Sequence, residues 1–130
     1  MRTKGLFLII FLVLASCGTT KKTFPVSNLA PAAEITVKQK TDSNDNNEIT
    51  VKAKYLASPE RVSRGATAYV VWLVSEENGI KNIGALYNEN GEDSELETIT
   101  SFVGTEIFIT AERQVGITRP DGVEITRVKL

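Results

Sequence analysis

From residue 34 to residue 130 the chain runs in short apolar-rich stretches separated by turn clusters, and in the clearest of them apolar and polar positions alternate. Ile49, Val51, Ala53 and Tyr55 alternate with Glu48, Thr50, Lys52 and Lys54. Successive side chains of a strand point to opposite faces, so this period predicts a strand buried on one side only. Ile35-Thr36-Val37-Lys38 repeats the pattern over a shorter span. Thr67 to Val74 is apolar on both faces, which predicts an interior strand with Trp72 in or near the core. Ile80 to Leu86, Leu96 to Phe102, Ile107 to Ala111 and Val123 to Leu130 bring the total to about seven strands. Glu76-Glu77-Asn78-Gly79 and Asn88-Glu89-Asn90-Gly91 each end on a glycine able to take positive φ. Arg119-Pro120-Asp121-Gly122 sets a proline early in a turn and a glycine at its exit. No window carries a helical period; Ser58-Pro59-Glu60-Arg61-Val62 suits a single turn, with Ser58 as cap and Pro59 first in the helix. Evenly spaced short strands predict an all-β fold, an immunoglobulin-like β-sandwich over residues 34–130.

The first 17 residues follow a different rule. Gly5 to Ala15 is uncharged and apolar or small, and Arg2 and Lys4 precede it. A helix needs about 20 apolar residues to cross a hydrocarbon core, so this run has instead the size of a secretory h-region. It ends in Leu14-Ala15-Ser16-Cys17, and Cys17 is the one cysteine of the chain. The segment resembles a bacterial lipoprotein signal. The resemblance implies a leader over 1–16, cleavage between Ser16 and Cys17, diacylglycerol on the Cys17 sulfur, and acylation of the new amine. Two or three acyl chains hold a protein on a bilayer durably, where one would be marginal. Residues 17–33 then read as a lipidated cysteine followed by a flexible tether, polar at first and later Pro- and Ala-containing. Lys21 and Lys22 could touch anionic headgroups, although solvated tether charges are the simpler reading. Gly18 stands where an aspartate would signal inner-membrane retention in enterobacterial lipoproteins. Similarity therefore favours the outer membrane, facing the periplasm.

Charge and composition narrow the chemistry. Removing residues 1–16 leaves 114 residues, enough for one domain, with 13 cationic against 16 anionic side chains. Nucleic-acid binding needs a concentrated cationic surface, so none is expected. The chain has no histidine, and lipidation of Cys17 would leave no thiol. The usual general base near neutral pH and the commonest zinc ligands are therefore missing.

The second half carries a further likeness. Tyr69-Val70-Val71-Trp72-Leu73-Val74, Ile83-Gly84-Ala85-Leu86, Ile107-Phe108-Ile109-Thr110-Ala111-Glu112 and Arg119-Pro120-Asp121-Gly122 occur in that order. Together they resemble the extracytoplasmic domain of anti-sigma-K-type factors, over roughly residues 66–130. That likeness implies a β-sandwich of the kind found in envelope sensor domains. It does not imply sigma-factor binding, since a lipid anchor stands in place of the family's membrane helix and cytoplasmic segment.

Candidate sites are sparse. Asp42, Asn44, Asn46 and Glu48 place oxygen donors at alternate positions, as in the first half of a calcium loop. The glycine at the sixth position and the glutamate at the twelfth are absent, which favours a solvated hairpin loop. Glu89, Glu92, Asp93, Glu95 and Glu97 read as a solvated loop and strand face. Glu112, next to Arg113, reads by default as a strand-end carboxylate in solvent, with a buried charge partner or a site residue as the alternatives. Ser63, Ser75 and Ser101 have no histidine to activate them and no nucleophile elbow, so no catalysis and no cofactor are expected. The expectation is a non-catalytic, lipid-anchored envelope module that contacts a protein partner. A sheet face or edge near Tyr69–Val74 or Val123–Leu130 would make the contact. The alternatives are a calcium- or glycan-binding module and a passive structural lipoprotein.

Overall fold

A computed structural model describes residues 18–87 and 93–130. The expected leader over 1–16, the expected Ser16–Cys17 cleavage junction with Cys17 itself, and the expected Asn88–Gly91 turn with Glu89 and Glu92 lie outside the described residues. Two four-stranded antiparallel sheets pack face to face as a sandwich. In one, the order is β1 (Thr19–Thr23), β2 (Glu34–Thr41), β3 (Asn47–Lys54) and β6 (Ser94–Thr100). In the other, it is β5 (Gly79–Leu86), β4 (Ala68–Ser75), β7 (Glu106–Glu112) and β8 (Val123–Lys129). One helical turn, α1 (Pro59–Val62), links β3 to β4, with Pro59 at its start.

The period-two pattern decides which residues meet between the sheets. Ile35, Val37, Ile49, Val51 and Ala53 face inward from the first sheet. Tyr69, Val71, Leu73, Ile107, Ile109 and Ala111 meet them from the second. Burying a large aliphatic or aromatic side chain contributes about 1.5–3 kcal/mol, so this layer supplies most of the drive to fold. β4 lies between β5 and β7 and is buried along almost its whole length, as its apolarity on both faces predicts. β3 stops at Lys54, because Tyr55 turns the chain with φ of 57°. Tyr55 is therefore exposed rather than the last inward residue of the alternation. Between β4 and β5, Gly79 takes φ of 74°, and the Ser75 hydroxyl accepts from the Asn78 N–H at 3.3 Å.

One expected boundary moves. Residues 18–33, read from sequence as a flexible tether, contain β1, which makes eight strands rather than about seven. β1 pairs with β2 in register from Thr19↔Lys40 to Thr23↔Thr36. Beyond it, Phe24, Ser27 and Ala30 are buried. Ser27 Oγ accepts from the Leu29 and Ala30 amides and so shapes the turn back into β2. Thr-Thr-Lys-Lys-Thr has no apolar period because it is an edge strand, whose backbone pairing to β2 places it.

Candidate functional site

The outer face of the β1-β2-β3-β6 sheet carries Lys21, Lys38, Lys40, Glu48, Lys52, Glu95 and Glu97. It forms a shallow depression of about 430 Å³. Register sets its rows. Lys21 lies opposite Lys38, then Thr50, then Glu97. The next row is Thr19, Lys40, Glu48 and Ile99. On the other side of the middle row lie Thr23, Thr36, Lys52 and Glu95. Lys21, Lys38 and Lys40 thus lie toward the β1 edge and Glu95 and Glu97 on β6, while β3 between them carries one charge of each sign, Glu48 beside Lys40 and Lys52 beside Glu95. None of these side chains forms an ion pair; both ion pairs among the described residues belong to Arg127. The pair Lys21–Lys38 sets like charges directly opposite each other, an arrangement that destabilises a sheet. Lys22, one residue on, faces the other way, opposite Val37.

The opposite surface of the sandwich is covered rather than open. Trp72, Val70 and Phe108 point away from the main core and form a second cluster with Val74 and Ile117. The Trp72 and Phe108 rings stack at 6.2 Å and 17°. The segment between β7 and β8 lies over them. Asn82 pins it by donating from Nδ2 to the Val115 and Ile117 carbonyls at 2.8 and 2.9 Å. The Arg127 guanidinium sits over the Phe108 ring at 4.2 Å, held by Glu106 and Glu124. Trp72 is therefore core, as expected, but on the outer side of its sheet and roofed by a connection.

A polar relay runs beneath this roof. Trp72 Nε1 donates to Thr110 Oγ1 at 2.8 Å, and that hydroxyl donates to Glu112 Oε2 at 2.5 Å. Glu112 also accepts from the Asp121 amide at 3.3 Å. Glu112 is 2 % exposed, so the expected solvated carboxylate is in fact buried. The reason is the returning segment, which brings Asp121 and Gly122 back over the end of β7. Gly122 fits because it has no side chain: a Cβ there would meet the Ala111 carbonyl oxygen at 1.8 Å. Its φ is not among the positive ones, so space and not turn conformation selects glycine here. Nothing local in the sequence marks Thr110 or Asp121 as a partner of Glu112.

The other predicted residues separate. Asp42 Oδ1 accepts from the Asn44 and Asn46 amides at 2.8 and 3.0 Å, and Oδ2 accepts from Asn46 Nδ2 at 3.2 Å. The Asn46 and Asn44 backbone donors hold its carboxyl below the usual range. The loop carboxylate thus serves its own turn, while Glu48 sits on the outer sheet face opposite Lys40. No cluster of three acidic, histidine or cysteine ligands occurs among the described residues. Ser75 and Ser101 line a depression of about 280 Å³ with Glu76 and Glu77, and Ser63 ends the helical turn elsewhere. Ser75 Oγ already accepts from Asn78. Tyr69–Val74 lies within β4, paired on both sides, so it offers no edge for strand addition. β8 is an edge, hydrogen-bonded to β7 alone, with Thr126 donating to the Pro25 carbonyl at 2.9 Å. No helix among the described residues is long and apolar enough to cross a membrane. No family model, curated protein or solved structure matches the chain.

Proposed function

We propose that this chain is a lipid-anchored, non-catalytic module of the bacterial envelope that acts by contact with a protein partner. The observation that carries this reading is the four-residue signal Leu14-Ala15-Ser16-Cys17 at the end of an apolar leader, two residues before β1 begins. Acyl chains on Cys17 would confine the sandwich to a membrane surface and raise its local concentration toward other membrane proteins. The outer membrane, on the periplasmic side, is the proposed location. The β8 edge is the proposed contact, because its outward backbone groups can pair with an incoming strand.

We assign the sandwich to the immunoglobulin-like type. Support comes from strand order: β2-β3-β6 against β5-β4-β7-β8 follows the A-B-E and C′-C-F-G arrangement, with β1 added at one edge. Trp72 sits on the strand equivalent to C but faces outward, and no disulfide joins the sheets. The likeness to the anti-sigma-K extracytoplasmic domain is proposed for the sandwich alone.

Two measurements test the reading. Intact mass of the mature protein from its host should show a Cys17 N-terminus carrying diacylglycerol. Crosslinking in intact cells should recover one reproducible protein partner, and substitutions on the outward edge of β8 should lose it. An unmodified Cys17 or a retained leader refutes the anchored module.

A further inference from the structure

β1 begins two residues after Cys17, and the outer face of its sheet carries a group of lysines. We infer that the β1 edge of the β1-β2-β3-β6 sheet rests on anionic phospholipid headgroups, with Lys21, Lys38 and Lys40 facing the phosphates. This inference rests on the anchored reading and adds to it a specific membrane-facing surface.

Reach is the first argument. A residue of extended chain spans at most about 3.6 Å, so Thr19 lies within about 7 Å of position 17 and Lys21 within about 14 Å. Lys40 is directly opposite Thr19, and Lys38 is opposite Lys21. Because β1 occupies the stretch that would otherwise be a tether, a lipid on Cys17 draws this edge to the bilayer. No spacer is left to lift the domain away.

Charge is the second argument. Lys21 and Lys38 repel each other across the β1–β2 ladder, and Lys40 lies two residues along on the same face. No carboxylate is ion-paired with any of them. Glu48, opposite Lys40, offsets part of that charge, but the Lys21–Lys38 pair itself is repulsive, and an array of phosphate groups would neutralise it. The β6 carboxylates set the tilt, with Glu48 on β3 the one nearer acidic group of this face. Glu95 and Glu97 are on β6, three strand spacings of about 4.8 Å from β1, or roughly 14 Å. The Debye length at physiological salt is about 8 Å. With the β1 edge down, the β6 carboxylates stay beyond strong repulsion by the membrane. With the sheet flat or β6 down, they would not.

Amine footprinting tests this on the mature lipidated protein purified from its host. The protein is reconstituted into vesicles of phosphatidylcholine alone, or of phosphatidylcholine with phosphatidylglycerol. Lysine acetylation rates are then read by peptide mass spectrometry. Lys21, Lys38 and Lys40 should label on the order of 10-fold more slowly on the anionic vesicles. Lys81, on β5 near the β6 side of the sandwich, should not change. The difference should vanish near 1 M salt, where screening extends about 3 Å. Lys38→Glu should shrink it at Lys21 and Lys40. Equal rates on both vesicles, with Cys17 lipidated by intact mass, overturn this inference and leave the anchored reading standing. Protection in intact cells without protection on anionic vesicles indicates an acidic protein occupant and overturns it too. An unmodified Cys17 in the same mass spectrum overturns the anchored reading, and with it the inference.

Discussion

Replacing Thr110 by valine nearly preserves the side chain's volume and removes its hydroxyl. That hydroxyl accepts from Trp72 Nε1 and donates to Glu112 Oε2, and all three residues are buried. The substitution leaves an indole N–H without an acceptor and a carboxylate oxygen with one long contact to Asp121. An unsatisfied buried donor costs about 1–3 kcal/mol, and losing the hydrogen bond to Glu112 costs about 0.5–1.5 kcal/mol more. The small apolar gain from the added methyl offsets part of this. The expected loss is about 3 kcal/mol, or about 13 °C in Tm for a domain of this size. Urea unfolding followed by Trp72, the one tryptophan in the chain, should show a lower midpoint at constant slope. Trp72→Phe combined with Thr110→Val, followed by circular dichroism, should give a coupling energy of about 1 kcal/mol or more. A loss under about 0.5 kcal/mol, or strict additivity in that cycle, would refute the relay as a structural element.

Gly122→Ala should be far worse than its size suggests, because the new Cβ would sit 1.8 Å from the Ala111 backbone oxygen and 2.9 Å from Glu112 Oε1. Loss of β7–β8 amide protection in hydrogen exchange would report it, and an unperturbed exchange pattern would contradict the close approach. Tyr69 should give stability a basic limit. Burial pushes its phenol up to about 12, and its hydroxyl donates to the Ala57 carbonyl at 2.7 Å. The unfolded chain releases this proton near pH 10, so the folded state binds more protons between about pH 10 and 12 and stability falls through that window. Tyr69→Phe should flatten that fall while costing about 1 kcal/mol at neutral pH; an identical alkaline slope in both proteins would count against it. At the acid end, Asp42 is held low by the Asn46 and Asn44 amides, so its stabilising contribution is complete above the unfolded carboxyl value. That contribution is lost as pH falls through the depressed one. Asp42→Asn should weaken the acid dependence, and a side-chain NMR titration midpoint at or above 3.8 would show the loop bonds absent in solution.

What could be read from the chain alone is whatever depends on short-range periodicity. The alternation from Glu48 to Lys54 marks β3, because side-chain direction along a strand is a property of neighbouring residues. The apolar run at Tyr69–Val74 marks an interior strand, because only a strand covered on both faces can carry it. Gly79 marks a turn that needs positive φ. Tertiary structure alone decided what covers each surface. TTKKT has no pattern of its own, and it becomes β1 because β2 offers an edge to pair with. Glu112 and Asp121 are nine residues apart with no local tie, and they meet because the β7–β8 connection folds back over Trp72. Lys21 and Lys38 are far apart in the chain and become opposed through strand register. Periodicity says which way a side chain points; only pairing and packing, set by contacts between distant segments, say what it points at.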